Sequence, residues 1–205
     1  MDPNTFPTKG NLILAKNSYA LAKQGYELMD KKRNILIREL MSLIDQADEI
    51  QKEILVTYET AYKALEQANI ELGINYVMES ASAVPKEESI NIKTRSIMGV
   101  EIPHISIDDN GIKPTYSLYS STESLDKARE AFEKVKILSV QLAAIENSAY
   151  RLASNVKKTQ KRANALQNIT IPKFTDLVKS ISNALEEKER EEFTRLKVIK
   201  RQMGN

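Results

Sequence analysis

The sequence contains no cysteine and no tryptophan, and its 205 residues include only six glycines, six prolines and one histidine. The absence of cysteine excludes disulfides, thiolate metal ligands and a cysteine nucleophile. No window reaches the roughly 18 apolar residues that a membrane span requires, and the opening MDPNTFPTKG lacks the basic and apolar segments of a signal peptide. We therefore expect any membrane association to go through a partner.

The sequence also has little that resembles a catalytic or metal site. The single histidine, His104, follows a proline without a neighbouring nucleophile pattern, and no phosphate-binding glycine loop, H-E-x-x-H or G-x-S-x-G motif occurs. The acids between residues 186 and 192 alternate with Lys188 and Arg190, which is typical of a solvated helix face. The net charge of +2 is too small to indicate nucleic acid. We predict no catalytic residue, no metal site and no cofactor.

Apolar residues do recur in the first third of the chain, at alternating steps of three and four. In chain order these positions are Leu12, Ala15, Tyr19, Ala22, Tyr26, Met29, Arg33, Leu36, Leu40, Leu43, Ala47, Ile50, Ile54, Tyr58, Ala61, Leu65, Ala68 and Leu72. This row predicts a coiled-coil helix, α1, over residues 8–79, and we call the row the α1 seam. Such a helix of some 70 residues would be ~105 Å long. Its charged member, Arg33, either lies where the helices spread or reaches the rim.

The C-terminal part repeats the pattern. Its positions are Leu125, Ala128, Phe132, Val135, Leu138, Leu142, Ile145, Ala149, Leu152, Val156, Ala163, Leu166, Phe174, Leu177, Ile181, Leu185, Phe193, Leu196 and Ile199. The row predicts a second long helix over residues 121–201, kinked near Pro172 because proline lacks the N–H that a helix interior needs. We expect the two helices to pair.

Residues 80–120 have a different character. Isoleucines alternate with polar residues at Ile90 and Ile92, the alternation returns from Val100 to Ile107, and Asp109-Asn110-Gly111 is a turn signal. This predicts a β-hairpin within a short irregular connection, and Pro103 indicates that its second strand is an edge strand or bends there. The predicted fold is dominated by α-helix: one elongated domain, a long antiparallel two-helix coiled coil with a small β-hairpin region between the helices.

Basic residues are segregated in two places. Lys9, Lys16 and Lys23 lie seven residues apart beside the α1 seam, and residues 147–175 contain no acid. The bases of the second stretch are Arg151, Lys157, Lys158, Lys161, Arg162 and Lys173. Lysines in such rows keep helices soluble and cover the seam with their methylenes; alternatively, they form an electrostatic footprint for a partner protein.

Several stretches together resemble the D subunit of the V-type and archaeal-type (A-type) ATPases, the central rotor shaft. They are Pro7-Thr8-Lys9; Gly25, Leu28, Lys32, Arg33, Leu36, Arg38 and Glu39; Ile97-Met98-Gly99-Val100 with Pro103; Lys161 to Leu166 followed by Ile171-Pro172; and Glu189 to Lys197. Lys9 replaces the arginine that is usual in the family, and Asn34 and Gln167 stand where an acid is common. A charge or a bidentate donor is lost at each of these three positions.

The resemblance implies a non-catalytic central-stalk subunit that transmits torque between an A3B3 head and a membrane ring, in ATP-driven proton or sodium transport or in ATP synthesis. It implies as partners the A, B and F subunits and a socket subunit above the ring, in a cytoplasmic complex peripheral to the membrane. The residues expected in the bore of the head are Lys9, Lys16, Lys23, Arg190, Arg195 and Lys197. Those expected to contact the F subunit or the shaft are Arg151, Lys157, Lys161, Arg162 and Asn164, and those of the hairpin motif are Met98, Val100 and Pro103.

Two other hypotheses use the same residues. A cytoplasmic coiled-coil adaptor or tether with no rotary role explains the helices but not the hairpin motif. A membrane-surface helical module would use the basic stretch 147–175 and would bind liposomes without a partner.

Overall fold

The computed structural model describes residues 6–86, 90–107, 115–117, 119 and 121–203. Its helices are α1 (Lys9–Leu72), α2 (Ile74–Ser82), α3 (Glu123–Ala165) and α4 (Ile171–Met203), with a π-helical turn at Leu166–Thr170, and its strands are β1 (Ile90–Ile97) and β2 (Val100–Ile107). The predicted fold class is confirmed, since helices dominate and a small antiparallel sheet lies between them in sequence. Two units are distinguished: a terminal unit, Met1–Asn34 with Val156–Asn205, and a central unit, Ile35–Asn155.

In the terminal unit, α1 runs antiparallel to the C-terminal helices. The Lys9 ammonium lies 3.1 Å from a carboxylate oxygen of Glu189. The Arg33 guanidinium donates to the Gln160 side-chain oxygen over 2.9 Å. As the residue number on α1 rises, that of its partner falls, which defines an antiparallel pair.

The central unit has the same sense of pairing at the other end of α1. The rings of Tyr62 and Phe132 meet edge to face, with centroids 5.5 Å apart, and the Ser124 hydroxyl donates to the Glu71 carboxylate over 2.9 Å. An apolar cluster joins α1, α2 and α3 there. Its members are Ala68, Val77 and Leu125, with Leu65, Leu72, Tyr76 and Tyr116 packed against them.

The seam predictions hold along nearly the whole pattern. Every seam residue of α1, and every predicted position from Leu125 to Leu185, is buried or half-buried. The prediction is wrong for Phe193, Leu196 and Ile199, which are 69%, 65% and 49% exposed. Helix α1 begins at Lys9, which already pairs with Glu189, so no residue of α1 remains to cover the later turns.

The prediction of one helix up to residue 79 needs correction at Gly73. Helix α1 ends at Leu72 and α2 begins at Ile74. Gly73 lies between them with φ +84° and ψ 147°, a region that is essentially restricted to glycine. Its N–H still bonds to the Asn69 carbonyl, and its own carbonyl accepts from Val77. A single residue therefore interrupts the helix without leaving its own backbone groups unpaired.

The π-helical turn lies immediately before Pro172. Proline has no N–H, and its ring crowds the carbonyl four residues earlier. Widening the preceding turn is one way for a helix to continue past such a residue. The hydroxyl of Thr170 also bonds to the Ala165 carbonyl, five residues back, over 3.4 Å. The interruption falls where the sequence predicted a kink; the kink itself stays a prediction.

The predicted hairpin is confirmed. Strands β1 and β2 pair in a register that places Ile97 opposite Val100 and Ile90 opposite Ile107. Met98 and Gly99 form the two-residue turn with φ of 50° and 76°, the pair of positive values that a type I′ turn requires. The turn signal Asp109-Asn110-Gly111 lies outside the described residues.

Across the described ranges, no helix combines the length and the apolar content that crossing a membrane requires.

We predict that Gly73→Ala lowers the free energy of unfolding by about 1–3 kcal/mol, because a side chain at this φ and ψ is strained whatever the surrounding space. Gly10→Ala is the matched control: a Cβ there meets nothing within 4 Å, and alanine favours helix. Urea titration followed by the helical circular-dichroism signal measures both variants. Equal stability of Gly73→Ala and the parent would contradict the prediction.

Candidate interaction surfaces

The predicted lysine row lies on the exposed surface of α1. Lys9, Lys16 and Lys23 are all exposed. Lys9 pairs with Glu189, but their side chains are 80% and 61% exposed, and an ion pair this exposed contributes only ~0–1 kcal/mol. Within the described ranges, Lys16 and Lys23 form no ion pair. The row is therefore cationic surface that a partner can use.

Helix α1 carries a second exposed row, which was not predicted from the sequence. Leu14, Leu21 and Leu28 are 59%, 71% and 63% exposed, although each is apolar. At 100° per residue, Leu14 lies about 160° around the helix from Lys16. The signal in the sequence that could have revealed this row is the seven-residue spacing of these leucines outside the seam. Helix α1 thus has a cationic row and an apolar row on nearly opposite sides, suited to different partner surfaces.

The last turns of α4 form a further exposed surface. From Glu186 to Met203 every residue is exposed, including the predicted Arg190, Arg195 and Lys197. We call residues 190–203 the α4 overhang, because they lie beyond the Glu189–Lys9 contact. Its apolar members are Phe193, Leu196, Val198, Ile199 and Met203. The overhang combines exposed cationic and apolar side chains, and no helix of the described residues covers it. Of the lysine row, Lys9 lies beside the start of the overhang.

The residues predicted to contact the F subunit or the shaft are divided between the two units. Lys157, Lys161 and Arg162 are exposed in the terminal unit. Arg151 belongs to the central unit, where its guanidinium donates to the Glu101 carbonyl of β2 over 3.2 Å. Asn164 accepts a bond from Gln160 over 2.7 Å. All five residues are exposed, and Arg151 and Asn164 also form hydrogen bonds within the chain.

Arg33 shows how a charged residue is accommodated in the seam. Its guanidinium lies 2.6 Å from an Asp30 oxygen, and the side chains are 25% and 32% exposed. It also donates to Asn34 over 3.1 Å and to Gln160 across the helix pair. Hence Arg33 reaches partners at the rim, one of the two predicted alternatives. A polar contact across a coiled-coil seam favours one register over others.

The hairpin-motif residues differ in environment. Val100 is 4% exposed and Met98 is 47% exposed at the turn. The Pro103 carbonyl accepts from the Ser148 hydroxyl of α3 over 3.3 Å. Since N–H and C=O of one residue in an antiparallel strand point to the same side, the N–H that proline lacks would have faced away from β1. The edge-strand prediction is therefore confirmed, and no ladder bond is lost.

A cavity of about 390 Å³ lies in the central unit between α2 and α3. Apolar side chains, among them Val77, Leu125 and Phe132, form much of its lining, and Lys136 and Glu133 pair at its border. The Tyr116 hydroxyl donates to Asp126. Burial, followed by this bond, raises the pKa of Tyr116. The cavity is large enough for one or two apolar side chains of a docked partner.

Within the described ranges, no three His, Asp or Glu side chains lie close enough together to hold a metal ion. The surfaces described above consist mainly of exposed charged and apolar side chains.

The sequence matches the family of the D subunit of ATP synthase over residues 11–201. It is 45% identical over 198 residues to the D subunit of the V-type ATP synthase of Thermotoga neapolitana, covering 97% of this chain and 98% of that protein. It is 36% identical over 197 residues to the D subunit of the A-type ATP synthase of Pyrococcus abyssi, covering 95% and 92%. The A-type protein of the same name from Thermococcus kodakarensis is 36% identical over 200 residues, covering 96% and 94%.

The contact of Glu71 with α3 predicts a pH-dependent contribution to stability. Hydrogen bonds from Gln67 and then Ser124 lower the pKa of Glu71 below 4.5, so its contribution is complete above that value and is lost as the pH falls through the lowered pKa. We expect Glu71→Ala to lower the urea concentration at the unfolding midpoint at pH 7. Below pH 4.5, the difference in midpoint between this variant and the parent should disappear.

Glu59→Ala is the control, because Glu59 pairs with Lys63 of the same helix. A midpoint that falls equally in both variants would contradict a role for Glu71 in joining α1 to α3.

Proposed function

The chain belongs to the family of ATP synthase D subunits, and from this premise we propose that it is the central-stalk rotor subunit of a V/A-type rotary ATPase. In this role it transmits torque between the ATP-hydrolysing A3B3 head and the membrane ring that translocates protons or sodium, or it drives ATP synthesis when ions flow the other way. It is a non-catalytic subunit without a cofactor, since nucleotide chemistry belongs to the head. It acts in the cytoplasm, peripheral to the membrane.

The observation that carries the proposal is the antiparallel packing of α1 against α3 and α4 in the terminal unit, together with the exposed α4 overhang. A pair of helices has no threefold symmetry. Inside a ring of three alternating A and B subunits it presents a different side to each site, and can therefore bias the three sites unequally. The overhang offers a single helix, narrower than the pair, with Phe193 and Leu196 free for contact.

The contact between the shaft and the A3B3 head acts as a bearing: it has to guide rotation without holding the shaft in one position. Ion pairs with exposed lysines suit this requirement, because each contributes only ~0–1 kcal/mol and is easily exchanged. We assign this role to the six head-facing residues predicted from sequence. They are Lys9, Lys16, Lys23, Arg190, Arg195 and Lys197.

The other partners are assigned to other surfaces. The cavity between α2 and α3 lies at the end of α1 remote from Lys9 in sequence, and its apolar lining suits a docked side chain of the socket subunit. The F subunit is assigned to the exposed bases Lys157, Lys161 and Arg162, with Arg151 and Asn164 at the margin because both already bond within the chain.

We predict that replacing the lysine row by glutamine lowers coupled ATPase activity of the reconstituted complex by up to about tenfold. Three exposed pairs of ~0.5 kcal/mol each add up to about the 1.4 kcal/mol that corresponds to a factor of ten. The isolated variant should keep its helical signal, because these side chains lie outside the seam. The variant carries Lys9→Gln, Lys16→Gln and Lys23→Gln.

The matched control replaces three lysines of the central unit that are also exposed, each paired with a glutamate of its own helix. They are Lys63, Lys127 and Lys134. Activity that is unchanged in the row variant, or lowered equally in the control, would remove the bearing role from the lysine row. Recovery of A, B and F subunits with the tagged chain separates the rotor from the adaptor hypothesis, which requires other partners.

A further inference from the structure

Along the outer edge of β1, the backbone N–H and C=O groups form no hydrogen bond to any described residue. The β2 edge packs on α3, where the carbonyls of Glu101 and Pro103 accept from Arg151 and Ser148. The backbone carbonyls of these two β2 residues therefore face away from β1. In an antiparallel ladder, two residues directly opposite each other are alike in this respect. If the backbone groups of one face away from the partner strand, those of the other do so too, at the opposite edge of the sheet.

The register fixes which residues of β1 point outward. Ser96 lies opposite Glu101 and Thr94 opposite Pro103, so their N–H and C=O groups face away from β2. The alternation gives Ile92 and Ile90 the same orientation. Within the described ranges no hydrogen bond reaches these four residues from outside the strand. Donors and acceptors repeated at every second residue match an extended segment and no other secondary structure.

Side-chain charge indicates what kind of segment fits. All of β1 except Ile97 is exposed. Lys93 and Arg95 project from one face, and their cross-strand neighbours are His104 and Ile102, so the sheet places no acid opposite either base. Ile92, 67% exposed, lies on the other face. A second copy of β1, paired antiparallel in the same manner, would bring these bases against one another, which is unfavourable.

We propose that the outer edge of β1 receives an extended segment of another subunit of the complex. The segment carries acidic residues at alternate positions opposite Lys93 and Arg95, and apolar residues on the face of Ile90 and Ile92. Backbone bonds supply the attachment, and the charges select the segment and its register. The partner is a subunit of the rotary complex, so this inference rests on the proposed function.

The test compares amide hydrogen exchange in the free chain and in the reconstituted complex, at single-residue resolution. In both states the ladder protects the N–H groups of Lys93, Arg95 and Ile97, which serve as internal controls. The outward N–H groups of Thr94 and Ser96 should exchange freely in the free chain. In the complex they should slow by about a hundredfold or more, as a formed ladder requires.

Two variants test the mechanism in the same complex. Thr94→Pro removes one outward N–H without removing a ladder bond, and should abolish the protection of Ser96; Thr94→Val, which keeps the N–H, should retain it. The double variant Lys93→Glu with Arg95→Glu should weaken protection by about tenfold or more, because two attractive cross-strand pairs become repulsive.

Three results would overturn the proposal. One is outward amides that exchange in the assembled complex as fast as in the free chain. Another is protection that neither Thr94→Pro nor the charge reversal changes. A third is protection of the outward amides that is already present in the free chain, as it would be if two copies paired through their β1 edges. Failure of the parent chain to assemble with the other subunits would overturn the proposed function as well, whereas assembly with freely exchanging outward amides overturns this proposal alone.

Discussion

Contact along the α1 seam is the interaction on which the rest of the structure depends. A long helix that carries one apolar row needs a second helix to cover that row. The most completely buried positions are mostly small, with Ala61 and Ala68 at 0% exposure and Ala163 at 1%. Alanines let two helices approach closely, and larger half-buried residues between them supply the apolar area. Stability is therefore spread over many modest contacts, with Leu36, Leu152 and Ile181 as its few large, fully buried side chains.

The sequence was informative wherever a periodic pattern meets a rigid geometric requirement. Steps of three and four predicted the buried side of α1, and alternation predicted the hairpin. A pattern cannot show where its covering partner ends, which is why Phe193 and Leu196 were placed in the seam. Nor does it reveal that Gly73 takes a conformation almost restricted to glycine, since the same residue also occurs within regular helix, as Gly25 does.

The candidate surfaces were harder to predict, because a charged residue in a sequence does not disclose its partners. Arg151 and Asn164, which are expected to contact the F subunit or the shaft, are exposed and also bond within the chain. The leucine row opposite the lysines and the outward-facing edge of β1 could be recognised only from the position of each residue around its helix or strand. In the proposed rotor each surface would meet a different subunit: the overhang and lysines the head, the cavity the socket, and the β1 edge an extended acidic segment.

The central claim is the antiparallel register of α1 against α3 and α4, and the absence of native cysteine makes it directly testable. A Cβ at Gly25 would lie 3.8 Å from the Leu166 side chain. Oxidation of the double variant Gly25→Cys with Leu166→Cys, in the free chain and in the complex, should give an intramolecular disulfide. The pair Gly25→Cys with Leu177→Cys, about three turns away, should give none. Cross-linking of the second pair in preference to the first, or only between chains, would contradict the register and with it the proposed shaft.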